Sequence, residues 1–329
     1  MVPYPATILE SEIDMLTKTL SIILIFTAAT LATPAVAYAQ GTSVAQPKKA
    51  AVAKVLKSDR MEVDGIQYHY QIRGQGAPLL LLHGGLGSVD MFAPIMPALA
   101  AKRQIIGIDL QGHGRTPLGS RPISIAAMGA DMAVILKKLG YGPVDVMGYS
   151  MGAGVAFQLA VQHPQQVRRL ALVSGSFAKD GFYPEMIEAQ AQVSSKMAQG
   201  MKDTPMYKSY VTVAPSPGDF PKLLDAMGEM MKQTFDWSAD VPKLTMPVML
   251  VYGDSDMYRP EHVVKFYQLL GGGLKDAGWQ RENMPRNRLA ILPGLTHYDI
   301  FLPPQLPATV LPFLDGRAAP ANWADQVRN

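Results

Sequence analysis

The sequence predicts an α/β architecture: a mostly parallel sheet flanked by helices, with one helical insertion. Three observations predict it. Short unbroken apolar runs alternate with longer helix-like stretches, as in strands buried on both faces and joined by right-handed crossovers. That alternation stops at about Gly175 and resumes at Val248 to Tyr252. The residues with reactive side chains cluster just past the ends of the apolar runs, where open parallel sheets gather their ligand sites.

The elements follow in order. Leu20 to Phe26 is apolar, small residues follow, and Ala37-Tyr38-Ala39 is an A-x-A cleavage pattern. Residues 1–39 therefore read as a bacterial secretory signal peptide cut after Ala39, with an uncleaved membrane anchor as the alternative. Residues 1–14 hold Glu10, Glu12 and Asp14 and no basic residue, so a start at Met15, with Lys18 as its positive flank, gives a more conventional leader. Residues 40–59 read as a linker. Met61 to Val63 and Ile66 to Arg73 form a hairpin turning at Asp64-Gly65. Pro78 to Leu82 and Gln104 to Ile108 are buried strands, separated by a helix over Met91 to Ala101. A helix over Ile125 to Leu139, ended by Gly140, leads to the strand Val144 to Met147, a helix closed by His163-Pro164, and the strand Leu170 to Val173. After the insertion come Val248 to Tyr252, a helix near Glu261 to Leu270, a strand Leu289 to Leu292, and a helix near Leu306 to Leu314. The domain reading is a core over 60–174 and 241–317, a helical cap over 175–240, and a tail over 318–329.

Composition narrows the function. The 329 residues are 48% hydrophobic and 17% charged, enough for a large core. The formal charge is +3, and losing residues 1–39 removes three acids and one lysine, leaving about +5 with no long basic run. That argues against a nucleic-acid partner, and against stable membrane association once the signal peptide is removed. With no cysteine there is no disulfide, thiol nucleophile or thiolate metal site. Export points to a periplasmic or extracellular protein.

The most informative motif is Gly148-Tyr149-Ser150-Met151-Gly152, set between a strand and a helix. This is the G-x-S-x-G nucleophile elbow: small neighbours let Ser150 sit on a sharp turn with its hydroxyl in the open. At the end of the first buried strand, His83-Gly84-Gly85-Leu86-Gly87 makes a glycine-rich turn. The N–H of Gly85 or Leu86, with that of Met151, would form an oxyanion hole. No Gly-Lys-Ser/Thr follows, so the turn is not a phosphate loop. His83 reads as a brace for that turn. Later strands end in Gly253-Asp254-Ser255-Asp256 and Gly294-Leu295-Thr296-His297. His297 suits a general base, oriented by an aspartate. Asp254 and Asp256 both stand in reach of that role, one of them serving the turn or a helix cap, and Asp180 is a third candidate.

Together these segments, with Ile108-Asp109-Leu110-Gln111-Gly112-His113-Gly114-Arg115, resemble the α/β-hydrolase superfamily over roughly residues 60 to 315. Within it the chain is similar to the capped group of esterases, lactonases, non-metal haloperoxidases and C–C bond hydrolases. The resemblance implies an α/β-hydrolase fold with the triad order Ser150, Asp256, His297, the acid taking the last position of G-x-x-D. It also makes Asp109 and His113 parts of a structural loop. No Pro-Gly follows His83-Gly84-Gly85, which argues against proline iminopeptidases and the classical C–C hydrolases. Serine at 150, rather than aspartate, argues against haloalkane dehalogenases and epoxide hydrolases.

The expected activity is hydrolysis of small to medium apolar carboxylic esters through an acyl-enzyme on Ser150, with no metal or organic cofactor. Seven methionines in the insertion (Met186, Met197, Met201, Met206, Met227, Met230 and Met231) would shape an apolar pocket or fill the cap's own small core. A lactonase of the same fold is the nearest rival, and a catalytically silent ligand-binding relative is the rival from another class. Gly271 to Arg288 reads as a surface excursion, the alternative being a flap near His297.

Overall fold

The structure, a computed structural model, describes residues 53–317. The signal-peptide segment, residues 40–52 of the linker and the tail after 317 lie outside the described residues. Among these, the strands are β1 (Val55–Val63), β2 (Ile66–Arg73), β3 (Ala77–Leu82), β4 (Arg103–Ile108), β5 (Val144–Tyr149), β6 (Val167–Val173), β7 (Val248–Ser255) and β8 (Arg288–Thr296). They form one sheet in the order β1-β2-β4-β3-β5-β6-β7-β8. Only the pairs β1/β2 and β2/β4 are antiparallel.

The helices are α1 (Met96–Ala100), α2 (Ile125–Lys138), α3 (Met151–Gln162), α4 (Pro184–Ala191), α5 (Pro205–Val213), α6 (Phe220–Lys232), α7 (Pro260–Leu269) and α8 (Gln305–Leu314). The unbroken apolar run of β3 has its reason in the two cores. Leu80 and Leu82 point to the core under α2, α3 and α7, while Leu79 and Leu81 point to the core under α1 and α8. All four are fully buried, each worth roughly 1.5–3 kcal/mol.

Local chemistry sets the boundaries. The hairpin turns at Asp64-Gly65 with both residues at positive φ, 46° and 74°, the geometry that a two-residue turn of this type demands. Ser124 caps α2 by accepting the Ala127 N–H at 3.3 Å, and Gly140 ends it at φ 79°.

Three elements differ from the sequence reading. Strand β1 begins at Val55, inside the stretch read as linker. It is an edge strand whose side chains from Leu56 to Arg60 are exposed, so it carries no apolar pattern to betray it. The helix expected over 91–101 is split into a 3₁₀ turn (Val89–Phe92) and α1, because Pro94 lacks an N–H while Pro97 suits the start of a helix. Strand β8 runs on past Leu292 to Thr296 through a register shift, with Gly294 at φ 71°.

The insertion leaves and returns at one place. Lys179 N–H donates to Phe235 O at 2.9 Å, and Trp237 N–H donates to Phe177 O at 2.7 Å. Between these bonds stand α4, α5 and α6. Met201 and Met227 are buried in the main core, and Met197, Met206, Met230 and Met231 pack half-buried against it. The excursion over 271–287 is held at the opposite end of the sheet from Ser150 and His297. Val248 N–H donates to Asn287 Oδ1, and Arg286 donates to Thr245 O, at the start of β7. Its Trp279 is 78% exposed, which is a surface position. No helix among the described residues is long and apolar enough to cross a membrane.

Candidate active site

Four neighbouring parallel strands each release one polar residue immediately after their last position. Ser150 follows β5, Ser174 follows β6, Asp256 follows β7 and His297 follows β8. Because β5 to β8 are consecutive in the sheet, these residues meet along one edge of its C-terminal end.

Ser150 sits at φ 54° and ψ −118°, a strained conformation for a residue with a side chain, costing on the order of 1–3 kcal/mol. Its N–H donates to Val173 O at 2.9 Å, and α3 starts at the next residue. The two flanking glycines make this turn possible. A Cβ at Gly148 would lie 2.2 Å from Gly152 O, and one at Gly152 would lie 2.4 Å from Leu82 O. Only glycine lets strand and helix approach this closely.

His297 Nε2 is 2.9 Å from Ser150 Oγ, and His297 Nδ1 is 2.8 Å from Asp256 Oδ1. An ionised carboxylate only accepts, so the proton on the ring belongs on Nδ1, leaving the Nε2 lone pair for the Ser150 hydroxyl. Asp256 and His297 are both buried. Asp254 does not reach His297; its Oδ2 accepts the Gly294 N–H at 3.0 Å and so holds the turn in β8. Asp180 is exposed, and its nearest histidine is His262, at 3.9 Å.

The surroundings hold this line in place. Tyr149 donates its hydroxyl to His297 O at 2.5 Å, and its ring lies 5.3 Å from the imidazole. Tyr258 packs edge-on to the same imidazole at 5.8 Å. Burial, with the Asp256 charge adding to it, pushes the phenols of Tyr149, Tyr252 and Tyr258 up, so they stay neutral at working pH.

The glycine-rich turn after β3 lies against Ser150: a Cβ at Gly84 would stand 3.3 Å from Ser150 Cβ. Gly87 N–H closes the turn onto Gly84 O at 3.2 Å, with Leu86 at φ 56°. No acceptor among the described residues takes the N–H of Gly85 or Leu86. Met151 opens α3, so its N–H has no carbonyl within the helix to meet. His83 is fully buried, its Nδ1 2.7 Å from Gly84 O and its Nε2 accepting the Leu110 N–H at 2.9 Å, which braces the turn. Burial pushes its pKa down. Asp109 works on the adjacent loop, accepting the N–H groups of Val89 and Arg115. Burial alone would raise its pKa, but the His69 hydrogen bond, the His83 contact and those N–H groups hold it at about 2. Met227 of α6 roofs the turn, its Cε 3.1 Å from where a Gly85 Cβ would be. Met186 of α4 reaches Tyr298, beside His297, at 4.0 Å.

Sequence reasoning passed over Ser174. It is fully buried, and its Oγ donates to Asp256 Oδ2 at 2.5 Å. The signal was there in principle: Ser174-Gly175-Ser176 ends a buried strand that the parallel order must place between the strands of Ser150 and Asp256. Among the described residues no three His, Asp or Glu side chains gather so as to hold a metal ion.

Comparison with known proteins supports the fold. A family model for the α/β hydrolase fold matches residues 77–204. The solved esterase from Thermogutta terrifontis superposes with a TM-score of 0.61 at 20% identity, covering 80% of this chain and 99% of that one. The chain has the α/β-hydrolase fold. The chain is 26% identical over 253 residues to a pimeloyl-[acyl-carrier protein] methyl ester esterase of Nitrosomonas europaea, covering 70% of this chain and 92% of that protein. It is 35% identical over 125 residues to a protein of Azorhizobium caulinodans named for carbamate hydrolysis, covering 38% of this chain. That match spans less than half of the relative's length, 47%.

Proposed function

We propose that this α/β hydrolase cleaves carboxylic esters of small to medium apolar substrates through an acyl-enzyme on Ser150. The observation that carries the reading is the unbroken line Ser150 Oγ–His297 Nε2–Asp256, with spacings of 2.9 and 2.8 Å. As Ser150 Oγ attacks the ester carbonyl, its proton passes to His297 Nε2, and Asp256 stabilises the imidazolium. The carbonyl oxygen gains negative charge and is held by the N–H of Met151 and that of Gly85 or Leu86. The imidazolium then protonates the departing alkoxide, which leaves as the alcohol. A water molecule repeats the sequence: His297 takes its proton, its oxygen attacks the acyl carbon, and the acid leaves as Ser150 recovers its proton. The named esterases among the relatives and the free N–H groups beside Ser150 support this reading. The thioethers of Met227 and Met186, near the turn and His297, support an apolar substrate. No metal or organic cofactor enters the scheme.

The test is the initial rate on p-nitrophenyl esters from acetate to dodecanoate, with Ser150→Ala beside the native protein. Serine-dependent turnover with an optimum at one chain length is the expected result. Turnover of lactones alone would replace esterase by lactonase, and turnover that survives Ser150→Ala would remove the reading. Export belongs to the same proposal. The protein recovered from its host outside the cytoplasm should begin at Gln40, and a full-length N-terminus in the membrane fraction would contradict cleavage.

A further inference from the structure

We propose that Ser174 is a positioning residue that fixes the plane of the Asp256 carboxylate; the proposal rests on the reading of Ser150, His297 and Asp256 given above. The carboxylate has four hydrogen-bond donors around it. On Oδ1 they are His297 Nδ1 at 2.8 Å and the Met257 N–H at 2.8 Å. On Oδ2 they are the Ser174 hydroxyl at 2.5 Å and the Gly253 N–H at a long 3.4 Å. Ser174 therefore supplies the one short bond on Oδ2. The terminal torsion of an aspartate is soft, with no deep staggered well to hold it. Without Ser174, a buried oxygen would be left with a weak partner, and the carboxylate would turn to recover one, taking Oδ1 off His297.

The backbone shows what it takes to put the hydroxyl there. Ser174 stands at φ 49°, in the left-handed region where glycine is at ease and serine is not. Its N–H donates to Val251 O at 2.8 Å, and the next residue is pinned by Tyr252, whose hydroxyl donates to Gly175 O at 2.5 Å. Glycine would relax the backbone, yet the chain carries a serine, wholly enclosed, with its oxygen against the acid. The position lies after β6, between the strands that carry Ser150 and Asp256, so the hydroxyl enters the line from the side opposite His297.

The experiment uses Ser174→Gly and Ser174→Ala in the native and Asp256→Asn backgrounds. Glycine and alanine both remove the hydroxyl, but glycine also relieves the backbone, so Tm should fall less in Ser174→Gly than in Ser174→Ala. The KM for p-nitrophenyl butyrate should stay within about twofold while kcat falls about 10- to 100-fold, the range for a hydrogen bond to a charged group. In Asp256→Asn protein, the residual kcat should change less than about twofold on either substitution, because Ser174 acts only through the carboxylate. An unchanged kcat in a well-folded Ser174→Gly protein would overturn the proposal, as would an equal loss in both backgrounds. A readout independent of turnover separates this from failure of the ester reading. The downfield proton resonance of His297 Nδ1–H should shift or broaden in Ser174→Gly and stay in place in Ser150→Ala. A resonance untouched by Ser174→Gly would also overturn the proposal.

Discussion

Replacing Asp256 by asparagine, with Asp254→Asn as its partner experiment, separates two aspartates that stand two residues apart. Each oxygen of Asp256 faces donors: His297 and the Met257 N–H on one side, the Ser174 hydroxyl and the Gly253 N–H on the other. An asparagine must turn its NH₂ toward one of these sides. If it faces His297, the ring has to accept at Nδ1, which places its proton on Nε2, where it cannot take the proton of Ser150. If it faces Ser174, the hydroxyl must turn to accept and the Gly253 N–H is opposed by another donor. The first arrangement leaves the wrong tautomer, and a change of that kind lowers kcat by about 10⁴-fold, or about 5.4 kcal/mol at 1.36 kcal/mol per decade. Asp254→Asn retains an oxygen for the Gly294 N–H and touches nothing in the line, so kcat should change less than about threefold. The assay is steady-state hydrolysis of p-nitrophenyl butyrate, with thermal melts to establish that both variants fold. A loss under tenfold in Asp256→Asn, or a comparable loss in Asp254→Asn, would refute the reasoning.

Two further predictions concern the frame. Gly152→Ala would place a Cβ 2.4 Å from Leu82 O and 2.5 Å from His83 O, both backbone atoms. It should lower unfolding free energy in urea by about 3 kcal/mol or more, whereas Gly142→Ala, with open space around it, should stay within about 0.5 kcal/mol. Acid should also weaken the fold. His113 is buried and neutral, its pKa pushed from 6.5 down to about 3 by burial first and by neighbouring His83 second. Between those values the unfolded chain binds a proton that the folded chain refuses. The stabilisation is therefore full above pH 6.5 and is lost as pH falls toward 3, the loss reaching roughly 3 kcal/mol by pH 4.5. His262, pushed down to about 4 by burial, acts in the same direction. Asp109, at about 2, stays ionised throughout this range. Thermal melts should show Tm falling steadily from pH 7 to 4.5, and a flat Tm would contradict the account.

Much of the fold was legible because burial on both faces writes itself into composition. Leu79 to Leu82 are apolar at every position, and Val144 to Met147 at all but Asp145, whose buried charge meets Arg103 and Arg168, so the central strands stand out. Strand β1 did not, since its exposed positions from Lys57 to Arg60 hold no apolar residue to repeat. The proline pair at 94 and 97 reads equally as a tolerated helix start or as a break, and the packing decided for the break. Ser150 and His297 were visible because each follows a strand within a distinctive glycine-bearing motif. The resemblance to the family's G-x-x-D pattern favoured Asp256 over Asp254, but only the register shift in β8, which puts Gly294 against Asp254, explains why both aspartates are present. Ser174 stayed hidden because its partner lies 82 residues away, and a serine beside glycine looks like any loop.

The central claim is covalent catalysis by Ser150, and the most direct measurement is mass spectrometry of protein acid-quenched during turnover of a p-nitrophenyl ester. The account predicts an added acyl mass on the peptide carrying Ser150, absent in Ser150→Ala and enriched in a variant whose deacylation is slowed. Turnover that proceeds with no adduct, or with an adduct on another residue, would contradict it.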